Sequence, residues 1–506
     1  MFIGKQERPR YFTHTVVFTA FALGLPVRTG ASAHPTARRK ALTMLSVSNI
    51  ISRLVPLTVL FAVLTSWPPA LRAEAKAPLP DYVIKNFGTP PAIPEGPLPE
   101  ALQAAVNTAF IETMKQKRWE DPQTRALDHI TKGKDPRIVW LIADLIRFTT
   151  DPELTLELAW AASKLLGIEA PYLNHWGKIT DHLIAWDVPA PPDYLRVKRA
   201  IFTTFVPEWE KLFVDGEIDW RHVSWGGVQI DNRAFNATAK PCDCIPAADN
   251  PAVTSAKEAT WLKDDDIVFG IGINGEYRAH PRRIMEVREM VNDTLGGRHL
   301  GIPYCTLCGA AQAYFTDRLP DGIERPVLRT SGLLIRSNKV MFDVNTYSVF
   351  DTFKGNAVTG PLAAKKLQLK QAGVVTTDWG TWKKKHPGTT VLVEALALGN
   401  NFDFRNGRDA DGPIFPVGDV DPRLPVQEDI IGVIAASGKP VAFQRTKAMV
   451  ALKQGQRIAF ENIRLQLEAG GIKAVGADGA DLGSHQAFWF AWSQFYPETE
   501  LWAGTN

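Results

Sequence analysis

An α+β protein, with a HEAT-like α-helical N-terminal segment followed by a β-rich mixed domain, is the fold class that three observations predict. Residues 100–190 place apolar side chains at helical spacing behind repeated Asp-Pro pairs. Beyond Val197 the chain turns to β-branched runs cut by Gly, Pro and Asn-Gly. Of the 506 residues, 45% are apolar and 22% charged, which supplies ample core for two or three structural units.

Residues 1–75 read as targeting sequence, and they do so twice. Lys5, Arg8 and Arg10 precede an apolar stretch from Val16 to Leu25, with Ala31-Ser32-Ala33 behind it. A better version begins at Met44, where Arg53 leads into the apolar run Leu54–Leu64, followed by the small-x-small pattern Ala73-Glu74-Ala75. Translation is therefore expected to start at Met44, with a signal peptide over 44–75 and a periplasmic or secreted mature chain. Both apolar runs are short of the roughly 20 residues a span needs, so no membrane span is expected in the mature chain; an uncleaved anchor is the alternative. Residues 76–99 are Pro-rich and predict an extended spacer.

In the helical segment, Asp121-Pro122, Asp135-Pro136 and Asp151-Pro152 are start signals. Asp caps free N–H groups, and Pro fits the first turn because its missing N–H would be unpaired there anyway. Leu141, Ile142, Leu145 and Ile146 follow the second; Leu154, Leu158, Ala159 and Ala162 follow the third. Such an array either presents a face to a partner protein or caps the following domain.

The β-rich part spans 197–506. Gly270-Ile-Gly272-Ile-Asn-Gly275 satisfies a dinucleotide pattern, but Asn274-Gly275 is a hairpin dipeptide and Pro281 arrives before any helix, so a hairpin is expected. Residues 282–291 predict one amphipathic helix. A formal net charge of +3 leaves no electrostatic footprint for nucleic acid, and Lys383-Lys384-Lys385 reads as a solvated helix face. Nothing resembles a Ser-His-Asp elbow, a Walker loop or a zinc-protease helix.

The chemistry concentrates in Tyr304-Cys305-Thr306-Leu307-Cys308, which carries two of the four cysteines. Thiols at this spacing close a redox-active disulfide or bind one soft metal, and both uses run through the thiolate. Alternation from Ala311 to Thr316 predicts a strand directly after the pair, so the pair belongs on a turn between strands rather than at a helix N-terminus. In the redox reading Cys305, on an exposed strand end, attacks and Cys308 resolves, with Arg282, Arg283, Arg288 or Arg298 as sources of positive charge. A redox partner protein is then implied. In the metal reading both sulfurs ligate zinc or Cu(I), with Cys242, Cys244 and Met341, and His280 or His386, as candidate further ligands. In a third reading the cysteines staple a partner-binding protein. Phe488, Trp489, Phe490, Trp492 and Phe495 predict an apolar wall.

From Trp225 to Trp502 the chain resembles the bacterial and archaeal family DUF3179, a domain of unknown function. The matching landmarks include Trp225-Gly226-Gly227-Val228, Asp249-Asn250-Pro251, Asn292-Asp293, Tyr304-Cys305-Thr306-Leu307-Cys308, Ser331-Gly332-Leu333-Leu334, Arg336-Ser337-Asn338, Trp379-Gly380-Thr381-Trp382 and Phe488-Trp489-Phe490-Ala491-Trp492. The resemblance implies redox chemistry, because selenocysteine stands in the corresponding motif of some members and a selenol is a strong nucleophile rather than an inert clip. The chain departs from the pattern at Val287-Arg288-Glu289, where relatives tend to read Trp-His-Glu, and at Phe350, where tryptophan is common.

Overall fold

The computed structural model describes residues 10–11, 78–169, 173–237, 242–394 and 412–504. Apart from Arg10, the expected signal sequences and Met44 lie outside them. The described chain is mixed α+β: helices dominate up to Phe205, and small sheets follow.

The three Asp-Pro signals each start a helical element. Asp151 caps Pro152–Leu166 by accepting from the backbone N–H groups of Glu153 and Leu154 at 2.9 and 3.2 Å. Asp135 accepts from Arg137 at 3.1 Å and opens a 3-10 turn leading into Val139–Ile146. At the first signal the cap lies one residue earlier than expected: Glu120 and Gln123 form a capping box for Asp121–Gly133, which places Asp121 at the first helical position. Where an extended spacer was expected, Asp81–Phe87 form a helix with Val83 buried. The stretch is tied down by Trp186 Nε1 donating to Gly88 O at 3.0 Å and by Arg137 donating to Gly96 O at 2.8 Å. The helical segment is further fixed by a buried triad: Lys198 Nζ lies 2.6 Å from Asp144, whose other oxygen accepts from Tyr194 at 2.9 Å.

The expected hairpin forms. Ile267–Ile273 pairs antiparallel with Glu276–Pro281 across Asn274-Gly275, both with positive φ (50° and 85°). No helix follows the glycines, so no phosphate loop exists there. The helix expected over 282–291 stops at Arg288, because Glu289 adopts a left-handed conformation (φ 49°) and Met290–Leu295 continues as a strand.

One motif occurs twice. Val375–Asp378, Ile267–Ile273, Glu276–Pro281 and Thr390–Leu392 form adjacent strands, with the helix Trp379–Lys385 connecting the first to the last. His485–Phe488, Asp429–Ile434, Pro440–Gln444 and Glu500–Trp502 repeat the order, with Trp489–Phe495 as the connecting helix. In both, two antiparallel pairings are followed by one parallel pairing. In sequence, between the hairpin of the first copy and its strand Val375–Asp378, come Met290–Leu295 and Arg298–Cys305 of one sheet and Leu328–Ile335 and Asn338–Asp343 of another. These two sheets converge on the cysteine pair.

Candidate functional site

Cys305 ends the strand Arg298–Cys305, and the chain turns through Thr306-Leu307-Cys308-Gly309 so that Ala310 pairs back with Cys305. The pair therefore lies on a strand-to-strand turn. Cys308 N donates to Cys305 O at 3.2 Å. Gly309 turns the chain at φ 61°, where a Cβ would lie 3.1 Å from the Phe488 ring. Phe488 N donates to Cys308 O at 2.9 Å, so the C-terminal aromatic segment clamps the turn. Residues 310–316 are buried throughout: their alternation separates two packed faces rather than a wet and a dry one.

The sulfurs lie 2.8 Å apart, unbonded and within about 1 Å of disulfide bonding distance. Cys305 is only 3% exposed and Cys308 0%, so the exposed strand end expected for Cys305 is corrected: Phe488 and Trp489 cover the turn in one apolar cluster. Ser337 O lies 3.7 and 3.5 Å from the two sulfurs, and Asn338 Oδ1 lies 3.5 Å from Cys308 Sγ.

The charge beside the sulfurs comes from residues the sequence did not single out as site residues. Lys339, on the strand after Ser337, donates to Glu289 O, and its Nζ lies 3.5 Å from Glu289 Oε2. Thr306 donates to the other carboxylate oxygen at 2.8 Å, and Tyr304 N donates to Glu289 O at 2.9 Å. Lys339 is buried, and burial pushes its ammonium below the usual lysine range, while Glu289 and both cysteines pull it back up. For Cys305, burial is the largest influence and raises the thiol. The hydrogen bond with Cys308 and the backbone N–H groups of Lys339 and Cys308 outweigh it, against an opposing push from Glu289, and leave it below the ordinary 9.0. The sequence signal was a lysine directly ahead of the apolar run Val340-Met341-Phe342.

The arginines expected to serve the sulfurs are engaged elsewhere: Arg283 with Asp266, Arg288 with Glu394 at 2.6 Å, and Arg298 with Asp317 at 3.0 Å. Arg282 approaches Glu286 at 3.6 Å. Cys242 and Cys244 are bonded to each other, which removes them from a shared four-sulfur site. Met341 packs with Met290, Tyr314 and Phe350 in a separate core cluster. His280 hydrogen-bonds Phe269 O at 3.2 Å, and His386 contacts Glu468 at 2.9 Å while stacking on Tyr277. No group of three or more His, Cys, Asp or Glu suited to a metal occurs among the described residues.

Residues 242–480 match the family model described as "Protein of unknown function (DUF3179)". No curated protein and no solved structure matches the chain. The matched segment holds both cysteine pairs, Glu289 and Lys339, and over that segment the chain is similar to the DUF3179 family.

Proposed function

We propose that this is an exported protein in which Cys305 and Cys308 cycle between dithiol and disulfide. The observation that carries the reading is two unbonded sulfurs 2.8 Å apart beside the buried Lys339–Glu289 pair. In the forward step the Cys305 thiolate attacks one sulfur of an external disulfide and expels the first thiolate, which takes up a proton. Cys308 then attacks Cys305 Sγ of the mixed disulfide and loses its proton to the second departing thiolate. One disulfide forms and one breaks, and two electrons pass to the external reagent. Because the aromatic clamp covers the sulfurs, a small disulfide fits this site better than a rigid protein surface. Export rests on the Met44 signal pattern.

Burial of both sulfurs favours a second reading, in which the pair only secures the turn. The helical segment also supports a partner-binding role of HEAT-like type, since Leu156 and Trp160 are exposed one turn apart on Pro152–Leu166. Equilibration in glutathione buffers, read by alkylation mass, separates the two readings of the cysteines. A redox pair gives a reversible two-electron transition above about −300 mV, and Cys305→Ser abolishes it. A pair that stays reduced under oxidising glutathione is structural.

A further inference from the structure

A second site lies on the other side of the turn that serves the sulfurs. Arg336 and Ser337 link Leu328–Ile335 to Asn338–Asp343, and Ile335 pairs with Asn338. Arg336 holds φ 52° at a position where such tight turns favour Asn or Gly. While Ser337 O faces the cysteines, Arg336 lines a small pocket together with Arg221, His222, Thr180, Trp140 and Trp176.

The polar inventory of this pocket is unbalanced. Arg221 is engaged by Asp219 at 2.6 Å and Asp187 at 2.8 Å. Asp144, also at the wall, is satisfied by Lys198 and Tyr194. Arg336 has no side-chain hydrogen bond or ion pair among the described residues; Asp419, Asp219 and Asp187 act on it only through space. Thr180 Oγ and His222 Nε2 are buried without a hydrogen-bond partner. Behind Trp176, Arg147 lies 4.8 Å from the ring centroid, with its Nε spent on Trp225 O and no carboxylate opposite it among the described residues. A buried hydroxyl such as that of Thr180 is costly to leave unpaired, and the half-buried Arg336 guanidinium is suited to a carboxylate oxygen.

We propose that this pocket binds the carboxylate of a small organic acid, with Arg336 as its principal ligand and Thr180 as a further donor. The free space is about 10 Å3, room for roughly one water-sized group, so one carboxylate oxygen enters while the second oxygen and any tail stay at the mouth. The apolar faces of Trp140 and Trp176 raise the strength of the contact by excluding water. This site stands independently of the thiol reading, since none of its donors is a cysteine.

The test is calorimetric titration of the purified protein with sodium acetate at constant ionic strength, with sodium chloride as the comparison. Saturable one-to-one acetate binding is expected, weakened at least about tenfold in Arg336→Gln, the loss of one charge-assisted contact. Thr180→Val, which removes an unpaired hydroxyl and keeps its shape, is expected to weaken acetate about threefold or more with an unchanged circular dichroism spectrum. If Arg336→Gln does not fold, Thr180→Val decides. Absence of saturable acetate binding, unchanged binding in the folded variant, or equal binding of chloride would overturn the proposal.

Discussion

Trp382 and Trp492 occupy the same position in the two copies of the repeated motif. Each indole N–H donates to the threonine seven residues later, Thr389 at 3.0 Å and Thr499 at 2.8 Å. Each ring also fills the space over a strand glycine, so that a Cβ on Gly270 or Gly432 would lie 2.2 Å from it. The two glycines are therefore packing requirements, and both have ordinary negative-φ strand backbones. Gly270→Ala and Gly432→Ala should each lower stability by about 1–3 kcal/mol or more, because a buried indole must shift. Urea unfolding of each variant checks this; wild-type midpoints would mean that the rings repack freely.

Lys198 is fully buried against Asp144. Lys198→Met strands the carboxylate in the core and should cost about 3–5 kcal/mol. Adding Asp144→Leu removes the stranded charge and should recover most of that loss, although the Tyr194 hydroxyl then loses an acceptor. A double variant as unstable as the single one would assign the loss to packing instead of charge.

The repeat was legible in the sequence and was not read there. Trp379-x-x-Trp382 with Pro387 and Thr389 recurs at Trp489-x-x-Trp492 with Pro497 and Thr499, a constant offset that hydrophobic periodicity does not reveal. The hairpin at Asn274-Gly275 and the helix starts at Asp135 and Asp151 were legible because each rests on local backbone chemistry. The turn at Cys305-x-x-Cys308 was legible for the same reason. Its charge environment was not, since Lys339 meets Glu289 through a side-chain-to-backbone hydrogen bond fifty residues apart in sequence. Burial of the cysteines escaped too, because the covering Phe488 comes from the far end of the chain.

His485 is buried, with Gln371 at 2.8 Å on Nδ1, and burial lowers its pKa from 6.5 to about 3. The unfolded chain takes up a proton as pH falls through 6.5, whereas the folded protein does not until about 3. The histidine's contribution is therefore full above pH 6.5 and declines below it, by up to about 1.4 kcal/mol per pH unit. Asp144 and Asp351 are raised by burial and act in the opposite direction, so total stability is a poor readout. The stability difference between wild type and His485→Gln isolates the effect and should shrink steadily from pH 6.5 toward 4. A pH-independent difference would show that the folded ring protonates as easily as the unfolded one.

Lys339 and Glu289 should move the Cys305 titration in opposite directions. The Lys339 ammonium is favoured by negative charge on both cysteines, so by reciprocity it favours their thiolates. Glu289 raises the Cys305 thiol through its own charge. Lys339→Met should then shift the thiolate absorbance midpoint upward, and Glu289→Gln downward. The lowered folded value also makes thiolate formation a source of stability present above the ordinary value of 9.0 and lost as pH falls through the folded midpoint. Lys339→Met should narrow that gain, whereas Glu289→Gln should extend it to lower pH. Titration of both variants, with Cys305→Ser as the blank, checks the sign of each shift. If both midpoints move the same way, burial and turn geometry control the thiols and the ion pair does not.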